Sequence, residues 1–217
     1  MSSVAIEDPG AHGAAAHGHG PVVWPVDRQF GTAGIGKIAM WLFLVSDAFS
    51  FFGLLLGYGI LRGEAKVWHH AGEPTLSIPF TALLTFVLIC SSLSMVLAWQ
   101  KMADGDRAGA SRMLALTAGL GILFLVGQYQ EWFGIAGHGG LMHEGLVFGK
   151  SAYASSFYVI TGFHGAHVIS GVIYILLTLR RSALGRTTSS EIEVLGLFWH
   201  FIDLVWLLVF TLVYLLP

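Results

Sequence analysis

The sequence predicts an all-α polytopic membrane protein, a bundle of five transmembrane helices with its N-terminus cytoplasmic and its C-terminus external. Three observations carry this expectation. Apolar residues make up 55% of the 217-residue chain and charged residues only 11%, the balance of a protein whose solvent is lipid. Five apolar stretches, about 36–61, 77–100, 113–135, 155–179 and 194–216, reach spanning length. At ~1.5 Å per residue each covers roughly 33–39 Å, enough for a ~30 Å hydrocarbon core with some tilt. Basic residues are unevenly placed. Eight (Arg28, Lys37, Lys101, Arg107, Arg112, Arg180, Arg181 and Arg186) fall on the side of the N-terminus, and three (Arg62, Lys66 and Lys150) on the other. That asymmetry sets the N-terminal side in the cytoplasm.

Taken in order, residues 1–35 open on a Gly/Ala/His/Pro-rich run that is expected to be disordered or extended on the cytoplasmic side. The N-terminus has neither the basic start and apolar core of a signal peptide nor the Arg/Ser-rich pattern of a transit peptide. Residues 36–217 form the predicted five-helix domain. Its connections, 62–75, 101–112, 136–152 and 180–193, are too short for a separate soluble domain. The first span is rich in aromatics and carries Asp47, and the second holds the single cysteine, Cys90. One cysteine excludes an intramolecular disulfide, a CxxC pair and a CxxCH haem-attachment site. The third span ends near Glu131, the fourth carries His164 and His167, and the fifth carries His200 and Asp203. A net charge of −2 leaves no basic surface for nucleic acid. The lack of an internal repeat, a broken helix or an intramembrane Lys or Arg weighs against a carrier.

The polar residues at membrane depth ask for a reason, because an ionisable group near a helix centre costs roughly 2.5–3.5 kcal/mol on insertion scales. Asp47 and Asp203 count to the middle of their spans, His164 and His167 lie near that level, and Glu131 sits higher. His164 and His167 are three residues apart on one helix face, as are His200 and Asp203. Asp47, Glu131, His164, His167, His200 and Asp203 are therefore expected to form a membrane-embedded polar layer inside the bundle. The pairs Gly53/Gly57 and Gly162/Ala166 are small-xxx-small candidates for close helix packing. Spacing alone leaves two readings of the histidines open, hydrogen-bonded interior residues or haem and metal ligands. Trp199 and Trp206, seven residues apart, read as packing rather than as a cofactor box.

Four segments in order resemble one family. The runs 41-WLFLVSDAFSFFGLLLGY-58, 128-QYQEW-132, 161-TGFHGAHVISG-171 and 198-FWHFIDLVWLLVF-210 are similar to subunit III of haem–copper respiratory oxidases, over about residues 36–216. The resemblance implies an accessory, non-catalytic membrane subunit that binds no haem and no copper, those belonging to partner subunits. It implies direct packing on oxidase subunit I, subunit II in the same complex, bound structural phospholipid, support of sustained turnover in a proton-pumping cytochrome c oxidase, and a place for the complex in a respiratory supercomplex. The short five-helix form points to a bacterial inner membrane, since longer members have seven helices. Asp47 stands where the family usually has a carbodiimide-reactive glutamate, one methylene longer. The same resemblance fits subunit III of a quinol oxidase or a subunit III-like protein of a nitric oxide reductase. A different class, a haem-bearing membrane cytochrome using His164, His167 or His200, is separated from these by its visible spectrum.

Overall fold

The computed structural model describes residues 34–69, 72–134 and 139–216. The chain divides into residues 1–35 and 36–217, and the expectation of disorder in the first falls almost entirely outside the described residues. Among the described residues five helices are long and apolar enough to cross a membrane. They are α1 (Ile35–Glu64), α2 (Ile78–Ala103), α3 (Arg107–Phe133), α5 (Ala152–Ala183) and α6 (Ser189–Val209), the last continued by a π-helical turn, Phe210–Leu215. A four-residue helix, α4 (Leu141–Glu144), lies between α3 and α5. No strand occurs among the described residues.

Each predicted span is helical, but most of the helices outrun their apolar stretches because capping lies beyond the lipid-soluble part. α3 starts at Arg107 rather than near 113: the Asp106 side chain accepts the Gly109 N–H at 2.8 Å, so the polar turn Arg107–Arg112 is helical. That same N–H holds the exposed Asp106 carboxyl below the usual carboxylate range. Ser151 caps α5 through the Ala154 N–H, and Thr188 with Glu191 closes a capping box at α6. The α2–α3 turn is tight, with Gly105 at φ 85°, a left-handed conformation that other residues resist.

Backbone approaches run α2–α3, α3–α5, α5–α6 and α6–α2, which closes four helices into a ring. Glycines let the ring draw in. A Cβ at Gly127 of α3 would lie 2.3 Å from Leu84 of α2. Cβ atoms at Gly121 of α3 and Gly171 of α5 would lie 2.7 and 2.9 Å from the Trp199 ring of α6. Trp199 is wholly buried, and its indole N–H donates to Ser91 Oγ of α2 at 2.9 Å. One side chain thus touches all four ring helices. Trp206, two turns on, donates to Thr85 Oγ1 of α2 at 2.9 Å and packs on Phe124 of α3. Both tryptophans are packing residues that also satisfy their polar atom.

α1 stands beside the ring. Only 17% of its apolar window is buried, against 39–50% for the other spans, so its contacts are peripheral. It runs parallel to α6, tied at one end by the Lys37–Glu193 ion pair and at the other by Arg62, which donates to the Leu216 carbonyl at 2.6 Å. Between the ties, Phe51 packs on Phe163 of α5 and Phe201 of α6.

The small-residue pairs divide. Gly162 faces Trp132 of α3, at 3.2 Å from a built Cβ. Ala166 is exposed, and Gly53 and Gly57 have nothing within 4 Å of theirs. Gly121, Gly127 and Gly171 approach side chains of neighbouring spans more closely than Gly162 does. The i, i+4 spacing of small residues says that two backbones could approach, and only the helix's azimuth says whether one does.

Gly121→Ala is expected to cost about 1–3 kcal/mol, since the new methyl must displace a ring locked on both sides. Gly53→Ala is expected to cost nothing, the added methyl meeting open space. Thermal unfolding midpoints of the two variants in detergent check the contrast.

Candidate functional site

The six interior ionisable residues gather into three separate polar clusters, with one histidine left over. The first joins α1 to α5. His167 Nε2 lies 3.2 Å from Asp47 Oδ1, and His167 Nδ1 lies 2.8 Å from the Phe163 carbonyl one turn back. A carbonyl can only accept, so Nδ1 carries a proton and points it at Phe163. The remaining nitrogen and the Asp47 carboxyl then share a single proton, whether as imidazolium and carboxylate or as imidazole and carboxylic acid. The pair is neutral as a unit in either form, which removes most of the cost of holding two charges at membrane depth. Phe51 and Phe163 pack against the imidazole.

The second cluster joins α6 to α2. Ser92 donates its hydroxyl proton to Asp203 Oδ2, and His200 Nδ1 lies 2.8 Å from the same Ser92 oxygen. With the Ser92 proton committed to the carboxyl, His200 is the donor to Ser92 in the tautomer that carries its proton on Nδ1. The chain therefore runs His200 to Ser92 to Asp203, and one hydroxyl serves two ionisable groups.

The third cluster closes one end of the bundle. Glu131 of α3 accepts from Thr81 Oγ1 of α2 at 2.9 Å through one oxygen. Through the other it accepts from the Tyr214 hydroxyl, also at 2.9 Å. Tyr214 lies in the π-helical turn that ends α6, and the wider turn sets its buried ring inward. Glu131 thereby binds three segments together.

His164 joins none of these. It is fully buried between Phe124 of α3 and Trp206 of α6, with ring centroids 5.7 and 4.7 Å away, and neither ring nitrogen has a hydrogen-bond partner. The single polar layer anticipated from depth is thus three clusters on different helix pairs. Counting residues fixes height in the bilayer, whereas the direction a side chain points is fixed by how its helix is rotated, which height does not contain.

The residues that depth counting missed are hydroxyls. Thr81, Thr85, Ser91, Ser92 and Ser94 of α2 meet Glu131, Trp206, Trp199, Asp203 with His200, and Thr117 of α3, respectively. The signal was present as Ser and Thr recurring at helical spacing through an otherwise apolar run. Such residues can satisfy their own hydroxyls on the carbonyl a turn back, as Thr85 does on Thr81, so their presence did not by itself announce partners. Among the described residues no three His, Cys, Asp or Glu side chains are grouped to hold a metal ion.

Ser92→Ala strips two ionisable groups of their shared partner and is expected to cost about 1–3 kcal/mol. His164→Phe removes nitrogens that have no partner and keeps the ring stack, so it is expected to be neutral or slightly stabilising. Unfolding midpoints of both variants, compared with the parent, test the assignment of the clusters.

The comparisons with known proteins agree on one family. Cytochrome c oxidase subunit III matches residues 27–216. The chain is 37% identical to cytochrome c oxidase subunit 3 of Synechocystis sp., over 95% of this chain and 80% of that one. It is 33% identical to cytochrome bo(3) ubiquinol oxidase subunit 3 of Pseudomonas putida, over 82% of this chain and 84% of the relative. It is 30% identical to quinol oxidase subunit 3 of Bacillus subtilis, over 91% and 95%. The relatives are oxidase subunits named for two different electron donors, and the four sequence segments that resemble the family lie inside the matched region. This multi-pass membrane chain belongs to the cytochrome c oxidase subunit III family.

Proposed function

We propose that the chain is an accessory, non-catalytic subunit of a proton-pumping haem–copper terminal oxidase. It packs on subunit I beside subunit II, retains phospholipid at that boundary and sustains turnover, while haem and copper stay in the partner subunits. The observation that carries this reading is that each interior carboxyl is bonded to the chain's own hydroxyls or imidazole, with Asp47 Oδ2 and Asp203 Oδ1 left unpaired among the described residues. Asp47, Glu131 and Asp203 each meet a side chain of a second helix, an arrangement that locks helices together. His167 is engaged through both ring nitrogens and His200 through Nδ1, which suits structural imidazoles better than axial ligands.

The loosely held α1 suits the contact with subunit I. Its Gly53 and Gly57 positions are open, and Trp41, Phe49 and Phe52 stand exposed beside them. The apolar grooves between α1 and α6, of about 480 and 330 Å3, suit acyl chains of bound lipid. Basic residues favour a cytoplasmic N-terminus in a bacterial inner membrane. Relatives named for cytochrome c and for quinol leave both donors as readings, because the donor is chosen elsewhere in the complex.

The test is purification of the oxidase with and without this subunit. The expected result is unchanged haem content and initial O₂ reduction, with activity that decays faster over many turnovers when the subunit is missing. A stoichiometric Soret band in the isolated chain overturns the reading in favour of a haem-bearing cytochrome. Asp47→Asn in the complete complex is expected to leave haem content and the first turnovers intact. Loss of those first turnovers places Asp47 in an essential proton path instead.

A further inference from the structure

Three of the cavities on this chain lie on the apolar flanks of α1, α2 and α6; another is different in kind. It lies at the end of the bundle where α2 begins and α3 finishes, has a volume of about 280 Å3, and is lined by Thr75, Ser77, Gln130, Glu131 and Glu144 together with Phe80, Gly139 and Leu141. At ~30 Å3 of liquid per water molecule it has room for several waters, and its polar lining offers each of them partners. Thr75, Ser77 and Glu144 are exposed at the rim, and Glu131 is a buried wall residue. A carboxyl has about four lone-pair sites, and Thr81 and Tyr214 occupy one on each Glu131 oxygen.

We propose that this pit is an aqueous inlet to Glu131, which makes Glu131 a proton-exchanging carboxyl and a modification site for small hydrophilic reagents despite its burial. Two features carry the assignment. The pit opens among non-helical residues ahead of α2 and beside α4, at the water-facing end of the spans, whereas the Asp203 carboxyl lies mid-span and lines none of these four cavities, its cluster partner His200 alone bordering two apolar ones. The Glu131 contacts, Thr81 on α2 and Tyr214 on the π turn, lie away from the rim, so the carboxyl is held from behind and addressed from the front. The ionisable neighbours are Glu144 of α4 at the rim, Tyr214 on the π turn, and Tyr153 and Tyr158 of α5 within electrostatic reach. Among the described residues Glu131 forms no ion pair that would compete with water for the carboxyl. The assignment holds whichever electron donor the complex uses.

The chemistry that reads this out is carbodiimide coupling. A Glu131 oxygen bonds to the central carbon of the reagent while the carboxyl proton goes to a reagent nitrogen. An added amine then attacks the acyl carbon, forms the amide and expels a urea. The experiment treats the whole membrane complex with a water-soluble cationic carbodiimide and glycine ethyl ester, and locates the adducts by peptide mass spectrometry. Labelling of Glu131 about as readily as exposed Glu144, with Asp203 at least about tenfold lower, is expected, since lipid-buried carboxyls are closed to an aqueous reagent. Thr75→Trp at the exposed rim is expected to cut Glu131 labelling about fivefold or more by filling the mouth, and to spare Glu144. Glu131 left unlabelled while Glu144 reacts overturns the proposal. So does labelling by a membrane-soluble carbodiimide alone, or labelling that Thr75→Trp does not change.

Discussion

The bundle depends on the seat of Trp199. Helices in lipid gain nothing from burying apolar surface against each other, so what holds them is close packing and hydrogen bonds. Trp199 supplies both. Its ring fills the space that Gly121 and Gly171 leave on α3 and α5, and its N–H reaches Ser91 on α2. The side chain comes from α6, so one residue sets the mutual position of four helices. Without the two glycines there is no space for the ring, and without Ser91 the indole N–H would be buried unpaired.

The polar clusters extend the same logic outward. α2 has no charged residue in its membrane-crossing body, yet its hydroxyls are the partners of Trp206, Glu131, Asp203 and His200. A hydroxyl both donates and accepts, so a short helix face can serve a carboxyl, an imidazole and an indole without carrying charge into lipid. Asp47 and His167 solve the same problem differently, by sharing one proton across the gap to α1. Since α1 lies outside the ring, that contact, the Phe51 packing and the two end ties fasten it. The proposed contact with subunit I would use such an element, because a helix lightly held by its own chain is free to fit a partner.

Much of the site was legible residue by residue and little of it as geometry. Asp47, Glu131, His167, His200 and Asp203 stand out because ionisable groups in apolar runs are costly, and each has a partner in the structure. His164 stands out for the same reason and has none: it is stacked among Phe124 and Trp206. The sequence cannot separate the two cases, because a buried imidazole on an aromatic face and one on a carboxylate look alike at the level of spacing. Ser92 and Tyr214 were invisible for the converse reason. Each is an ordinary residue of a spanning helix until another helix presents an ionisable group to it.

By itself the sequence determined the number of spans, their length, and the family, because these rest on local composition and on motifs in order along one chain. It also determined which residues would be expensive to bury. The tertiary structure alone decided the rotation of each helix, and with it the ring of four, the peripheral α1, the choice of Gly121 and Gly171 over Gly53 and Gly57 as packing positions, and the division of one expected polar layer into three clusters. The physical reason is that lipid solvates every face of a spanning helix almost equally well. Hydropathy therefore does not say which face turns inward, and only the fit of side chains against neighbouring helices does.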